Sequence, residues 1–159
     1  MPLTENVDVL IVGSGPAGMS TALHLMDADR NWNGRVVIVD KAIHPRDKLC
    51  GGGITNGGDN ILEGLGLRYD GPQVVVQELE LIYRGHSHVM NADPVFRVVR
   101  RNEFDHWLAR RGQSRGLTLR QGEAVTSVVP KRDRIEVVTE RAVFTPRSWS
   151  PPTAQTARC

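Results

Sequence analysis

Val7-Asp8-Val9-Leu10-Ile11-Val12-Gly13-Ser14-Gly15-Pro16-Ala17-Gly18 is the stretch that decides the fold. Its first half is a short apolar run, and its second half carries glycines at G-x-G-x-x-G spacing. An apolar run closed by glycine reads as a buried parallel strand. From Pro16 to Asp27, the residues Ala17, Met19, Ala22, Leu23, Leu25 and Met26 predict a helix with small side chains on its first turns. Arg35 to Val39 is a second β-branched run, and Asp40 ends it. Strand, helix and strand in so short a span make one βαβ unit.

Each glycine of the turn has a physical task. Gly13 permits the tight turn, Gly15 lets a pyrophosphate approach the backbone, and Gly18 lets the helix pack on the strand. Free N–H groups of the first helical turn, with the helix dipole, then hold the anion. Pro16 is tolerated there because its missing N–H would have no helical partner. Asp40 stands where a carboxylate accepts hydrogen bonds from the ribose hydroxyls of an adenosine, and its charge disfavours NADP at this position. The fingerprint by itself does not separate NAD from FAD.

Composition narrows the class. The 159 residues are 40% hydrophobic with 16 glycines, as in a soluble globular chain of ordinary domain size. Twenty Lys and Arg against 18 Asp and Glu leave a charge of +2, too balanced for a nucleic-acid binder or a polybasic membrane protein. No apolar stretch approaches the roughly 20 residues of a spanning helix. No basic segment followed by an apolar one opens the chain, so no secretion signal is expected. Cys50 and Cys159 are no disulfide framework, and a reducing cytoplasm is the simplest setting.

Beyond Asp40 the pattern changes. Glycines crowd the segment from Gly51 to Gly71, with a short helix expected across Asp59 to Leu65. Val74 to Tyr83, His86 to Met90 and Val95 to Val99 predict strands. Asn102 is a fair N-cap for a helix that runs to Arg111, where Gly112 can end it. Leu117 to Leu119, Ala124 to Val129 and Ile135 to Val138 return to strand. This order suits an α/β domain, a parallel sheet with a small antiparallel sheet attached.

Lys41 to Thr55, K-A-I-H-P-R-D-K-L-C-G-G-G-I-T, and the later R-x-E-F-D-x-W-L starting at Arg101 add to the fingerprint. With V-G-S-G-P-A-G and the Asp40-Lys41 pair, they make the sequence from Val7 to Val138 resemble the geranylgeranyl reductase family of FAD-dependent oxidoreductases, within the wider p-hydroxybenzoate hydroxylase-like flavoproteins. The resemblance implies a Rossmann-like FAD-binding domain. It implies that Gly13, Gly15 and Gly18, with Pro16 and Ala17, hold the FAD pyrophosphate. Asp40, followed by Lys41, would hold the ribose. Cys50, Gly51 and Gly53 would lie along the flavin side, Arg101 near the phosphates, and Ala124 and Val125 against the adenine. The implied activity is reduction of isolated carbon–carbon double bonds on isoprenoid or lipid-like substrates, with NAD(P)H or a ferredoxin-like donor as electron source. A hydroxylase or halogenase of the wider class, or a dinucleotide-binding remnant without catalysis, are the alternatives.

Several residues have two readings at this point. Cys50 reads as a small buried residue or as a proton-donating thiol beside the reacting carbons, the one candidate catalytic group. Arg101 reads as a phosphate ligand or a surface charge, and Arg46 and Lys48 as site residues or solvated ones. His86 and His88 share one strand face, a solvated pair rather than a metal site, and no metal is expected.

Family members of this class need a second signature ending in (A/G)-D-G-S, and it is missing after the strand at Arg141 to Thr145. The expected boundaries are therefore an incomplete FAD-binding domain at 1–145 and a disordered or frameshifted tail at 146–159. The tail, P-R-S-W-S-P-P-T-A-Q-T-A-R-C, has no Val, Ile or Leu. Back-translation from the last base of the Arg147 codon, with free wobble choices, allows V-V-V-A-A-D-G-S-N-S in the shifted frame. On this reading the chain is the N-terminal part of a longer flavoprotein, inactive alone, whose intact form touches membranes peripherally through its lipid substrate. Sequencing the gene downstream of that codon checks it, and the absence of (A/G)-D-G-S in the shifted frame contradicts it.

Overall fold

A computed structural model describes residues 3–150, with side chains through 148. The expected βαβ unit opens the fold as β1 (Leu3–Val12), α1 (Pro16–Ala28) and β2 (Val36–Asp40), with a short 3-10 turn at Arg30–Trp32 before β2. All five residues of β2 are buried, as its continuous apolar run requires of a strand covered on both faces. There follow β3 (Gly53–Thr55), α2 (Asn56–Gly64), β4 (Gln73–Tyr83), β5 (His86–Val99), α3 (Arg101–Ser114), β6 (Thr118–Gln121), β7 (Val125–Pro130), β8 (Ile135–Thr139) and β9 (Ala142–Ser150).

Two sheets result, in a Rossmann-like α/β architecture. The larger has the order β6-β2-β1-β9-β8-β7, and the smaller β3-β5-β4. β6, β2, β1 and β9 run parallel, while β8 and β7 extend the sheet antiparallel. After β1 the chain returns on one side as β2 and much later on the other as β9. The carboxyl end of β1 is therefore the switch point where such sheets bind ligands. On one face Met19, Leu23, Ile38, Phe104 and Leu108 form the core between sheet, α1 and α3; on the other Leu10, Val39, Val137 and Phe144 pack together.

Four expectations are corrected. β5 is a single strand through Pro94, because β4 pairs with it on both sides of residues 92–95 and the register shift between Val76 and Glu78 absorbs them. Gly112 does not stop α3, which runs on to Ser114. It is buried under the ends of the Met19 and Leu117 side chains, which would have to shift to admit a Cβ. The helix starts at Arg101 with Arg100 as its N-cap residue, not Asn102.

The fourth correction concerns the tail. Residues 146–150 are strand, not disordered: β9 continues to Ser150, with Val7 opposite Pro146 and Ile11 opposite Ser150. The open edge of a buried β1 requires a backbone partner, and this outweighs composition. Pro146 is accommodated because pairing with β8 is confined to Phe144 and Val143, before it. Positions 148–150, where the shifted frame would read Val-Val-Val, are paired with β1; residues 151–159 of the expected tail lie outside the described residues.

Candidate functional site

β1 delivers the chain into the glycine turn at the switch point. Gly13 has φ +103°, a conformation open to glycine and costly for other residues, and its N–H donates to the Val39 carbonyl at 2.8 Å. A Cβ on Gly18 would collide with the Gly13 carbonyl oxygen and meet Ile11 Cγ2 at 3.2 Å, so α1 can lie this close to β1 only with glycine there. Gly15 is the N-cap residue of α1 and Pro16 opens the helix; no side chain caps it and no acid occupies its first turn. The positive end of the helix and its free N–H groups are left for an anion.

Asp40 closes the turn from the side. Its Oδ2 accepts from the Ser14 N–H at 2.7 Å and the Ser14 hydroxyl at 2.6 Å, and its Oδ1 accepts from the Ala42 N–H at 2.8 Å. Burial pushes its carboxyl up, but these hydrogen bonds and the nearby Arg46 outweigh it and hold the group below the usual carboxylate range. A carboxylate offers about four acceptor positions, so roughly one remains on Oδ1 for a ribose hydroxyl. Sequence reading puts Asp40 at the ribose; the structure adds that it braces the phosphate turn. Lys41 beside it is exposed. The Glu123 N–H donates to the Asp40 carbonyl at 2.9 Å and the Gly122 N–H to the Ala42 carbonyl at 3.2 Å, which brings Ala124 and Val125 to the same end of the sheet.

Cations gather over the turn on one buried acid. Asp105 of α3, whose side chain is 0% exposed, accepts from Arg101 Nε at 2.8 Å and Nη2 at 2.9 Å, and from Arg46 Nη2 at 3.2 Å. Two guanidiniums on one carboxylate leave a net positive charge. Arg46 lies 3.5 Å from where a Gly15 Cβ would stand, directly beside the glycine turn. Arg46 and Arg101 are therefore joined in the site, and neither is a solvated surface charge.

Cys50 completes the cluster. It is exposed, which removes the reading of a buried inert residue. The Gly52 N–H donates to its Sγ at 3.5 Å, and that hydrogen bond, then the Arg101 guanidinium, lowers the thiol below its ordinary range. Of the glycines expected along the flavin side, Gly51 leaves open space for a Cβ and Gly53 would bring one only into ordinary contact with Phe96, at 3.8 Å. Gly52 between them is the constrained one: φ is +73°, and a Cβ would collide with the Val99 carbonyl. Gly52→Ala is expected to cost about 1–3 kcal/mol, measurable as a lower melting temperature, whereas Gly51→Ala leaves it unchanged.

Sequence reading missed Ser14, His44, Gly52, Asp105 and Glu123. Glu123 is a buried acid that accepts from the Thr139 hydroxyl at 2.7 Å and ties the β6–β7 turn to β8. His86 and His88 are exposed on β5, and among the described residues no group of three or more His, Cys, Asp or Glu is placed to hold a metal ion. No described helix is long and apolar enough to cross a membrane.

The glycine cradle, the uncapped helix end, the buried carboxylate and the paired arginines fit a dinucleotide with its pyrophosphate at Gly13–Gly18 and its ribose at Asp40. Comparison with known proteins identifies the dinucleotide as FAD. A segment of 55 residues is 42% identical to menaquinone reductase of Mycobacterium tuberculosis, covering 35% of this chain and 12% of that one. The structure of a geranylgeranyl bacteriochlorophyll reductase-like protein of Thermoplasma acidophilum superposes with a TM-score of 0.72 at 19% identity, over 91% of this chain and 38% of that one. Halogenase PltM superposes with a TM-score of 0.69 at 21% identity, over 88% of this chain and 34% of that one. The chain thus spans less than half the length of each of these relatives. The FAD binding domain family matches residues 6–145, and to that family this chain belongs.

Proposed function

We propose that the chain is the dinucleotide-binding part of an FAD-dependent oxidoreductase that reduces a carbon–carbon double bond in an isoprenoid or lipid-like substrate. The placement of Cys50 carries this reading: an exposed thiol, drawn toward its anion by Gly52 and Arg101, on the loop that leads from the ribose carboxylate to β3. The likeness of a segment to menaquinone reductase supports a polyprenyl quinone as one form of the substrate.

Gly13, Gly15, Pro16, Ala17 and Gly18 would hold the pyrophosphate, with Arg46 and Arg101 screening its charge and Asp40 orienting the ribose. Bound and reduced by NAD(P)H or a ferredoxin-like donor, FAD supplies a hydride. Cys50 would hold or give a proton at Sγ on the flavin side. We propose further that this chain alone does not turn over, since Cys50, Gly51 and Gly53 are exposed, and that the longer protein acts at a membrane surface from the cytoplasm.

A second reading, a flavin-dependent monooxygenase or halogenase, is favoured by the fold shared with halogenase PltM. Oxygen separates the two. Product analysis of the full-length protein with a reduced donor is expected to show a saturated product, two hydrogens heavier, under strict anaerobiosis. Product formation only in the presence of oxygen contradicts the reductase. A colourless, FAD-free preparation that cannot be reconstituted supports the non-catalytic remnant.

A further inference from the structure

His44 is 7% exposed and lies on the loop after β2. Its backbone N–H donates to Gln121 Oε1 at 2.6 Å, which fixes the loop against β6. Its Nε2 lies 2.7 Å from the Ser14 hydroxyl, which lies 2.6 Å from Asp40 Oδ2. A carboxylate only accepts, so Ser14 spends its single hydroxyl proton on Asp40. Nε2 must then carry the imidazole proton and donate it to Ser14. The three side chains form a one-way relay from His44 through Ser14 to Asp40, inside the phosphate turn. Nδ1 is left bare, buried and without a partner.

We propose that His44 is a positioning residue of the FAD site: its Nε2–H holds the Ser14 hydroxyl on Asp40 and thereby fixes the turn and the carboxylate in the arrangement that accepts FAD, so that FAD is released when His44 takes up a second proton. The inference rests on the reading that FAD lies across this turn.

The surroundings make that second proton disruptive. It would go to Nδ1, which has no acceptor. Burial and then Arg46 lower the ring's affinity for a proton; Asp40 and Asp105 act the other way, and His106 of α3 again lowers it. The ring is therefore neutral at neutral pH. It charges as the pH falls below the ordinary histidine value of about 6.5, and it can then leave the interior only by letting go of Ser14. Asp40, held below the usual carboxylate range, stays ionised through this window, so the histidine titrates separately from it.

The test is FAD affinity of the full chain, followed by flavin fluorescence between pH 7.5 and 5.5. The dissociation constant is expected to rise toward pH 5.5, by less than the roughly tenfold that a ring titrating at the ordinary value of about 6.5 would give, because the ring is held below that value. His44→Gln keeps an N–H donor but does not titrate, so its FAD affinity, whatever its value at pH 7.5, should stay constant between pH 7.5 and 5.5. His44→Phe removes the donor and should bind more weakly at every pH. A flat wild-type profile, an affinity that rises in acid (a cationic histidine gripping phosphate), or unchanged binding by His44→Phe at pH 7.5 overturns the proposal. No binding by wild type even at pH 7.5 removes the FAD reading itself.

Discussion

Gly18→Val is expected to abolish FAD binding and to destabilise the whole domain by about 3 kcal/mol or more. Overpacking usually costs about 1–3 kcal/mol, and this position belongs at the upper end. The obstructing atom is the Gly13 carbonyl oxygen, which is backbone, with Ile11 Cγ2 behind it at 3.2 Å. Neither can rotate away as the end of a long side chain does. Relief requires α1 to move off β1, which pulls the first-turn N–H groups away from the pyrophosphate position. Gly15→Val is the informative control. A Cβ there meets only the flexible end of Arg46, and Gly15 has an ordinary φ of −71°. The fold should survive while the approach of a pyrophosphate to the backbone is blocked. Thermal melting and FAD titration of both variants separate the two roles; equal melting temperatures for Gly18→Val and wild type contradict the packing argument.

Asp105→Ala is expected to have the next largest effect. It leaves Arg46 and Arg101 without their shared carboxylate at the edge of the core. Removing one partner of a buried pair costs about 3–5 kcal/mol, and the arginines, at 20% and 18% side-chain exposure, regain some water. A loss of about 2–3 kcal/mol follows, or roughly 5–10 °C in melting temperature for a domain of this size. Asp105→Asn keeps the shape without the charge and should recover only part of it. Calorimetric melting checks both. A midpoint within a degree of wild type for Asp105→Ala would show that the arginines are held by something other than this acid.

The parts of this site that were legible in the sequence are those in which local spacing has a geometric consequence. Glycines at G-x-G-x-x-G after an apolar run fix a strand, a turn and a helix start, because each meets a constraint within a few residues. Asp40 is legible for the same reason, at the end of the second β-branched run. The Asp105 pairing with Arg46 was not legible, since it joins residues far apart in sequence and nothing local marks either as a partner. His44 was hidden among the polar residues of a loop, and its role appears only once Ser14 and Asp40 are placed around it. Gly112 and Pro146 show the limits of local signals. Each reads as an interruption, yet Gly112 lies inside α3, packed under Met19 and Leu117, and Pro146 is carried by the pairing of β9 with β1. In both cases tertiary contact outweighs the propensity of a single residue.

The likeness to a reductase and to a halogenase over the same residues also has a physical basis. A Rossmann-like half-site fixes where a dinucleotide lies, while the reaction depends on what meets the far end of the cofactor. We propose Cys50 for that far end, and the oxygen dependence of the product separates the reductase from the monooxygenase reading.

The central claim is that a dinucleotide lies with its pyrophosphate on the Gly13–Gly18 turn and its ribose at Asp40. Isothermal calorimetry of FAD into the folded chain at pH 7.5, repeated with the Gly15→Val variant, addresses it most directly. Saturable binding of one FAD per chain, lost in the variant while the fold is retained, is the expected result. No saturable heat with wild type, or equal affinity in the variant, would contradict it.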